Sequence, residues 1–243
     1  MPDSTLPDSS VADTPVPVSP APDAVAGALA AVLFDMDGLL VDSEPLWFEV
    51  EKEVMDRLGG PWGAADQAAL VGGSLRRSVD YLLGKATRPA SRESVAGWMV
   101  GGMVELLTSR PLRVMPGARE LLSEVSRAGV PYALVTSSEQ AIMEAVLNQL
   151  DVAFPVTVSG DDVSNSKPDP EPYLLAAKRL GVDPHYCVAI EDSPNGVAAA
   201  EAAGCLMVAV PSVVPIPADN GRLVVTSLGE LSLDRLRDLA AGR

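Results

Sequence analysis

The sequence predicts an α/β protein with a parallel sheet, helices on both faces of that sheet, and a helical insertion after the first strand. From residue 116 onward, short apolar segments alternate with amphipathic segments of helical length, which is typical of βαβ units. One further apolar segment, residues 28–36, comes before this region. Between the two, residues 45–113 contain only helical patterns, so the insertion interrupts the sheet after one strand.

The length and composition agree with a folded domain and limit its partners. The chain has 243 residues, of which 47% are hydrophobic, and this is enough to build a substantial core. Asp and Glu number 33 against 18 Lys and Arg, which gives a formal net charge of −15. Because such a surface repels phosphodiester backbones and anionic lipids, we expect no nucleic-acid partner and no membrane partner.

The N-terminal segment and the cysteines indicate the compartment. Residues 1–27 are rich in Pro, Ser and Asp and contain no Lys or Arg. They lack the basic and apolar regions of a signal peptide, and we expect a disordered tail. Cys187 and Cys205 are too few for a disulfide framework and suit a reducing compartment. No apolar run is long enough to cross a bilayer, so we expect a cytoplasmic protein.

The first strand and the helices of the insertion have clear signals. The run ALAAVLFDM, which begins at Ala28, is short and apolar, as expected of a central strand in a parallel sheet. The segment Glu44–Leu58 has apolar residues at helical spacing and is followed by two glycines, which terminate helices. Three further helical patterns follow in ADQAALVG, SLRRSVDYLLGK and RESVAGWMVGGMVELLTSR.

The remaining elements alternate between helix and strand. We predict helices over residues 117–128, 139–150, 170–180, 193–203 and 230–241. We predict strands in PYALVTSS, FPVTVSG, HYCVAIED, CLMVAVPS and RLVVTS. We therefore expect residues 28–44 and 114–243 to form the α/β core, and residues 45–113 to form a separate helical domain.

Polar side chains follow four of the predicted strands. In strand order they are Asp35-Met36-Asp37-Gly38, Thr136-Ser137-Ser138, Ser166-Lys167-Pro168-Asp169 and Glu191-Asp192-Ser193. The carboxyl ends of parallel strands meet at one edge, where open α/β sheets bind ligands. Clustered carboxylates repel one another, and their oxygens suit Mg²⁺. A metal ion together with Lys167 makes a place for a phosphoryl group, which Thr136 would orient.

Four segments carry a resemblance to a known family. They are FDMDGLLVDSEPLW, LVTSS, SKPDPEPY and IEDSPNG. In this order and with these gaps they resemble the four motifs of the haloacid-dehalogenase-like (HAD) hydrolase superfamily, over residues 31 to about 215. The resemblance implies a Rossmann-like core with a helical cap inserted after the first strand. Within the superfamily, the chain resembles the group of β-phosphoglucomutase and 2-deoxyglucose-6-phosphatase.

The resemblance implies roles for the residues at the sheet edge. Asp35 resembles the nucleophile that forms an aspartyl phosphate, and Asp37 resembles the general acid and base. The implied Mg²⁺ ligands are Asp35, the backbone carbonyl of Asp37, Asp192, and Glu191, which more often acts through a metal-bound water. We expect phosphate binding at Thr136, Ser137, Lys167 and Gly38.

Two reactions remain open within the group. The dehalogenase and phosphonatase branches lack an aspartate where this chain has Asp37, so phosphate-ester chemistry is favoured. The mutases usually have a histidine where this chain has Trp47, and a cap arginine where it has Leu75, with Arg76 adjacent. Hydrolysis of a sugar phosphate is therefore favoured over a hexose-phosphate mutase reaction. We expect Trp47 and Arg76 to contribute to substrate specificity.

A phospho-accepting signalling module is an alternative of another class. Receiver domains also use acidic residues, a Thr or Ser, and a Lys at the sheet edge. Their phosphorylated aspartate follows strand 3, however, and they have no insertion after strand 1. We therefore predict an Mg²⁺-dependent phosphatase that acts on a small-molecule phosphate ester, and we expect a monomer because a capped core closes its own site.

Overall fold

The computed structural model describes residues 28–219 and 221–242, and the tail predicted for residues 1–27 lies outside them. A six-stranded parallel sheet has the order β3-β2-β1-β4-β5-β6. Its strands are β1 (Ala31–Phe34), β2 (Tyr132–Val135), β3 (Val156–Val158), β4 (Cys187–Glu191), β5 (Leu206–Ala209) and β6 (Leu223–Val224). The predicted fold class, a parallel α/β sheet with a helical cap after the first strand, is confirmed.

Helices lie in two groups along the chain. Between β1 and β2 the structure has α1 (Glu44–Leu58), α2 (Ala64–Ala68), α3 (Leu75–Lys85), α4 (Arg92–Ser109) and α5 (Ala118–Arg127). The later helices are α6 (Gln140–Leu150), α7 (Glu171–Leu180), α8 (Pro194–Ala202) and α9 (Leu233–Ala241). In residues 28–219 and 221–242, no helix combines the length and the apolar character that a membrane span requires.

The prediction that the last helix begins at residue 230 is wrong by about one turn. Residues Leu228–Glu230 form a separate 3₁₀ turn, and α9 begins at Leu233. Ser232 caps this helix, because its Oγ accepts a hydrogen bond of 3.2 Å from the N–H of Arg235.

Strand β1 lies at the centre of the sheet and is buried on both faces. Val32 and Phe34 pack in the core beneath α5, α6 and α9, whereas Ala31 and Leu33 pack in the core beneath α7 and α8. All four side chains are fully buried. A strand covered on both faces needs apolar residues at every position, which explains the uninterrupted apolar run.

The insertion is joined to the core through two adjacent segments. The N–H of Asp42 donates to the carbonyl of Arg113 over 2.8 Å, and Val41 forms an isolated bridge with Val114. Helices α1, α3 and α4 pack on one another and bury Met99 and Met103, among other residues. The buried residues of the insertion belong to the same apolar cluster as one face of the sheet, and the insertion meets the core at the carboxyl edge of the sheet.

The loop before α3 lies against this edge. Gly72 has a left-handed φ of 65°, and a Cβ atom there would collide with the side chain of Ser193. The carbonyl of Val71 accepts a hydrogen bond of 3.3 Å from the Asn195 side chain. A cavity lies between the loop, α1 and the strand ends.

Candidate active site

Lys167 connects three strand ends at the centre of the site. Its ammonium nitrogen donates to Asp35 Oδ1 over 2.6 Å, to Glu191 Oε1 over 2.6 Å and to the Val135 carbonyl over 2.8 Å. Its three donors therefore all have acceptors, and the residue is only 5% exposed. Burial opposes the charge, but the carboxylates of Asp35 and Glu191 outweigh it and raise the pKa of Lys167. The lysine is a fixed positive charge.

Glu191 ends β4 and is completely buried. Oε1 also accepts from the Tyr173 hydroxyl over 2.6 Å, and Oε2 accepts from the backbone N–H of Asp192 and from Ser193 Oγ, both over 3.2 Å. A Cβ atom at Gly196, in the first turn of α8, would collide with the carboxylate. The side chain is therefore held in one orientation, in which it also positions Lys167.

Three carboxylates form the one cluster of possible metal ligands found among the described residues. Asp35, Glu191 and Asp192 each offer an oxygen, and these oxygens lie within 4.8 Å of one another. Burial, and then the negative charge of Glu191, raises the pKa of Asp35 to about 8. Burial, together with Asp35 and Glu191, also raises the pKa of Asp192 well above its usual value. Three buried carboxylates against one ammonium group leave an excess of negative charge, which fits a hard divalent cation such as Mg²⁺.

Asp37 lies beside this cluster and is oriented by four donors. Oδ1 accepts from Ser43 Oγ over 2.6 Å and from the Trp47 indole N–H over 3.2 Å. Oδ2 accepts from Thr136 Oγ1 over 3.2 Å and from Ser138 Oγ over 2.8 Å. The donors come from both the β1 and the β2 sides, so the carboxylate cannot turn without losing several hydrogen bonds.

Gly38 shapes the loop that carries Asp37. Its φ of 78° is left-handed, and a Cβ atom there would collide with the Asp192 carboxylate. Its N–H donates to the Val41 carbonyl over 2.9 Å. The structure thus uses this N–H within the loop, and Gly38 does not line the cavity between core and insertion.

Some of the predicted site residues line the cavity, and others do not. The core contributes Asp35, Asp37, Ser137, Lys167 and Asp192, and the insertion contributes Trp47, Glu51, Gln67, Leu70 and Leu75 among others. Ser137 Oγ is buried and has no hydrogen-bond partner among the described residues, so it can donate to a ligand. Thr136 and Glu191 lie behind the cavity wall, where they contact Asp37 and Lys167 respectively. Arg76 is exposed and does not line the cavity, whereas its neighbour Leu75 does.

Several polar residues of the site were given no role in the sequence prediction. Ser43 and Ser138 contact Asp37, and Glu44, Glu51, Gln67 and Glu139 line the cavity. The position of Glu51 in the sequence could have indicated that it belongs to the site. It follows Trp47 by four positions, on the same helical face, where it interrupts a row of apolar residues.

Fold and site together define an α/β enzyme with a helical cap and a carboxylate–lysine centre at the carboxyl edge of its sheet. The model of the haloacid dehalogenase-like hydrolase family matches residues 29–204, and the chain belongs to this family. The predicted membership is therefore confirmed, and the protein is a hydrolase.

Characterised relatives and solved structures cover most of the chain. It is 36% identical over 219 residues to hexitol phosphatase B of Escherichia coli. This alignment covers 88% of this chain and 95% of that protein. It is 38% identical over 178 residues to the phosphorylated carbohydrates phosphatase of Thermotoga maritima, with 72% and 82% covered. The β-phosphoglucomutase of Clostridium difficile has a TM-score of 0.78 at 25% identity, covering 88% of this chain and 98% of its own.

Proposed function

We propose that this protein is an Mg²⁺-dependent phosphatase that hydrolyses a small sugar phosphate through an aspartyl phosphate at Asp35. The placement of Asp35 carries the proposal, because its carboxylate accepts a hydrogen bond from Lys167, has an oxygen within 4.8 Å of an Asp192 oxygen and lines the cavity. The names of the two phosphatase relatives support a phosphorylated carbohydrate as substrate. We also infer a monomer, since one chain supplies the core and insertion walls of the cavity. We infer a cytoplasmic location, since a chain with only two cysteines suits a reducing compartment.

The first step transfers the phosphoryl group to the protein. A carboxylate oxygen of Asp35 attacks phosphorus, and the bond from phosphorus to the leaving oxygen breaks. Asp37 gives a proton to that oxygen, so that the sugar departs as an alcohol. Lys167 and the Ser137 hydroxyl, which has no hydrogen-bond partner among the described residues, stabilise the negative charge on the transferring group.

The second step returns the protein to its starting state. A water molecule attacks the phosphorus of the aspartyl phosphate, and Asp37, now deprotonated, accepts a proton from that water. Inorganic phosphate forms as the bond to Asp35 breaks. The four hydrogen bonds to Asp37 keep its carboxylate in place for both proton transfers.

Asp35 and Asp192 are the residues that would hold Mg²⁺, with Glu191 at their side and the Asp37 backbone carbonyl as a further proposed ligand. The bound ion would supply positive charge to the phosphoryl oxygens and to the buried carboxylates. Asp192 is fixed for this role, because Ser212 Oγ donates to its Oδ2 over 2.5 Å.

A hexose-phosphate mutase is the second candidate, and its support is the structural likeness to a β-phosphoglucomutase. A mutase must protect its phosphorylated aspartate from water until the sugar has changed its orientation in the site. In this chain Trp47, rather than a titratable histidine, donates to Asp37. An indole cannot change its protonation with the state of the reaction, so the proposal favours hydrolysis.

We expect phosphate release from hexose and hexitol monophosphates in Mg²⁺, and a drop of at least about 100-fold when EDTA removes the metal. The measurement is inorganic phosphate from a panel of sugar phosphates, nucleotides and phosphoglycolate, with re-addition of Mg²⁺ as the control. β-Glucose 1-phosphate is assayed with and without glucose 1,6-bisphosphate, following glucose 6-phosphate. Equal release in EDTA contradicts the metal requirement, and isomer formation without phosphate release identifies a mutase.

A further inference from the structure

Glu51 is a buried carboxyl group that the proposed mechanism does not use. It lies on α1, is 4% exposed and lines the cavity on the insertion side. Its Oε2 atom is buried and has no hydrogen-bond partner among the described residues. A buried polar atom without a partner is unfavourable, so its position calls for a ligand that supplies the missing hydrogen bond.

Packing alone does not explain an acidic residue at this position. The buried face of α1 otherwise consists of Val50, Val54, Met55 and Leu58. A methionine or leucine at position 51 would continue this apolar face without the desolvation penalty of a carboxyl group. The carboxyl group therefore reduces stability, and a role in binding would account for it.

The surroundings of Glu51 favour its neutral form. Burial, and then the negative charges of Glu44 and Asp66, raises the pKa of Glu51 to about 8. Near pH 7 the group therefore carries a proton for most of the time. In this form it offers one donor and one acceptor, which matches an alcohol hydroxyl group, itself a donor and an acceptor.

The same side of the cavity holds further groups that suit hydroxyls. Glu44 lies beside Gln67, whose side-chain nitrogen donates to the Glu44 carbonyl over 2.7 Å and to its carboxylate over 3.1 Å. The Ser78 hydroxyl also lines this wall. On the core side, Glu139 Oε2 is, like Glu51 Oε2, a buried carboxylate oxygen without a hydrogen-bond partner among the described residues.

The described residues that line the cavity on the insertion side include no Lys or Arg, and Arg76 and Arg77 line an adjoining cavity. Of the described residues that line the cavity between core and insertion, Lys167 is the only one with a cationic side chain. Lys85 pairs with Asp66, and Arg77 donates to the Ala69 carbonyl over 2.8 Å, and neither lines the cavity. A second phosphate or a carboxylate on the substrate would lie near Glu44 and Glu51 without a counter-charge.

We propose that Glu51 binds a hydroxyl group of the leaving group, and that the insertion side of the cavity selects an uncharged polyol or sugar bearing a single phosphate. This inference rests on the proposed function and specifies its substrate class. Glu51 would act as a specificity-determining residue. Its contribution is a hydrogen bond to the part of the substrate that distinguishes a polyol phosphate from other monoesters.

The test compares Glu51→Met, which keeps the length and removes the hydrogen bonds, with Glu51→Gln, which keeps a donor and an acceptor. The matched control is Glu53→Met, the same change at an exposed position of α1. The readout is the ratio of kcat/KM for sorbitol 6-phosphate to kcat/KM for p-nitrophenyl phosphate, which has no hydroxyl groups. We expect Glu51→Met to lower this ratio at least about tenfold, mainly through KM. Glu51→Gln is expected to stay within about threefold of wild type, and Glu53→Met to leave the ratio unchanged.

Thermal unfolding separates binding from structure. Glu51→Met is expected to melt at or above the wild-type temperature, because it removes a buried, unpartnered carboxyl group. A lower melting temperature with proportional losses on both esters would show a structural role and overturn the inference. An unchanged ratio in Glu51→Met, or no rescue by Glu51→Gln, would also overturn it.

The last part of the test compares substrates of the wild-type protein. We expect it to prefer fructose 6-phosphate to fructose 1,6-bisphosphate, and a preference for the bisphosphate would overturn the inference. Cleavage of p-nitrophenyl phosphate without cleavage of any polyol phosphate would overturn this inference and leave the proposed phosphatase activity standing. Cleavage of neither ester in Mg²⁺ would overturn both.

Discussion

Asp35→Asn is expected to abolish phosphate release while leaving the fold intact. An amide oxygen is a poor nucleophile toward phosphorus, so the loss in turnover should be at least about 1,000-fold. The fold should tolerate the change because the amide oxygen can still accept the 2.6 Å hydrogen bond from Lys167. The substitution also removes a negative charge that, after burial, raises the pKa of Asp192.

Three measurements test this expectation together. Phosphate release gives turnover, circular dichroism and the melting temperature report the fold, and acid quenching with a labelled phosphate ester traps any phosphorylated protein. Wild type should carry label, and Asp35→Asn should not. Asp56→Asn, the same change at an exposed position of α1, serves as the control and should behave as wild type. Near-normal turnover in a folded Asp35→Asn protein would show that the nucleophile lies elsewhere.

The sequence predicted the groups that the strands themselves position. Asp35 and Glu191 each lie at the end of a strand, and parallel pairing of β1 with β4 brings these ends together. Lys167 lies in a loop after β3. Its positive charge complements the clustered carboxylates, and this was sufficient to place it at the same edge. Topology and residue type together were enough to predict that these residues meet at one edge of the sheet, without any knowledge of side-chain packing.

Residues whose position depends on packing could not be predicted in the same way. Leu75 and Arg76 are neighbours on α3, and consecutive helical positions point about 100° apart. The rotation of the helix about its axis therefore decides which of them lines the cavity, and this rotation depends on contacts with α1 and α4. Leu75 lines the cavity and Arg76 is exposed.

The hydrogen-bond partners of the site residues could not be predicted from the sequence either. Thr136 was expected to contact phosphate, but its hydroxyl donates to Asp37 and accepts from the Ser138 N–H over 3.0 Å. Gly38 was expected to bind phosphate, but its N–H donates to Val41. Both residues follow strands at the correct edge, and only the local backbone decides whether such a residue faces the ligand or supports a neighbour.

Asp37→Asn is expected to slow the two chemical steps to different extents, depending on the ester. Sugar and polyol alcohols are poor leaving groups that need a proton, so turnover of their phosphates should fall about 100- to 10,000-fold. p-Nitrophenolate leaves without a proton, so transfer to Asp35 should continue with p-nitrophenyl phosphate. Hydrolysis of the aspartyl phosphate should still be slow, because the amide introduced at position 37 would be unable to accept the proton of the attacking water.

This difference gives a kinetic signature that a structural defect cannot produce. With p-nitrophenyl phosphate, Asp37→Asn should release close to one p-nitrophenolate per protein in a rapid burst, and phosphorylated protein should accumulate. The fold should persist, because the hydroxyls of Thr136 and Ser138 can turn to accept from the new amide. Ser43→Ala is the comparison: it removes one hydrogen bond of 2.6 Å to Asp37 and leaves the carboxylate, so both esters should slow without a burst. Equal losses for both esters in Asp37→Asn, with no burst, would mean that this carboxylate positions the site and does not transfer the protons.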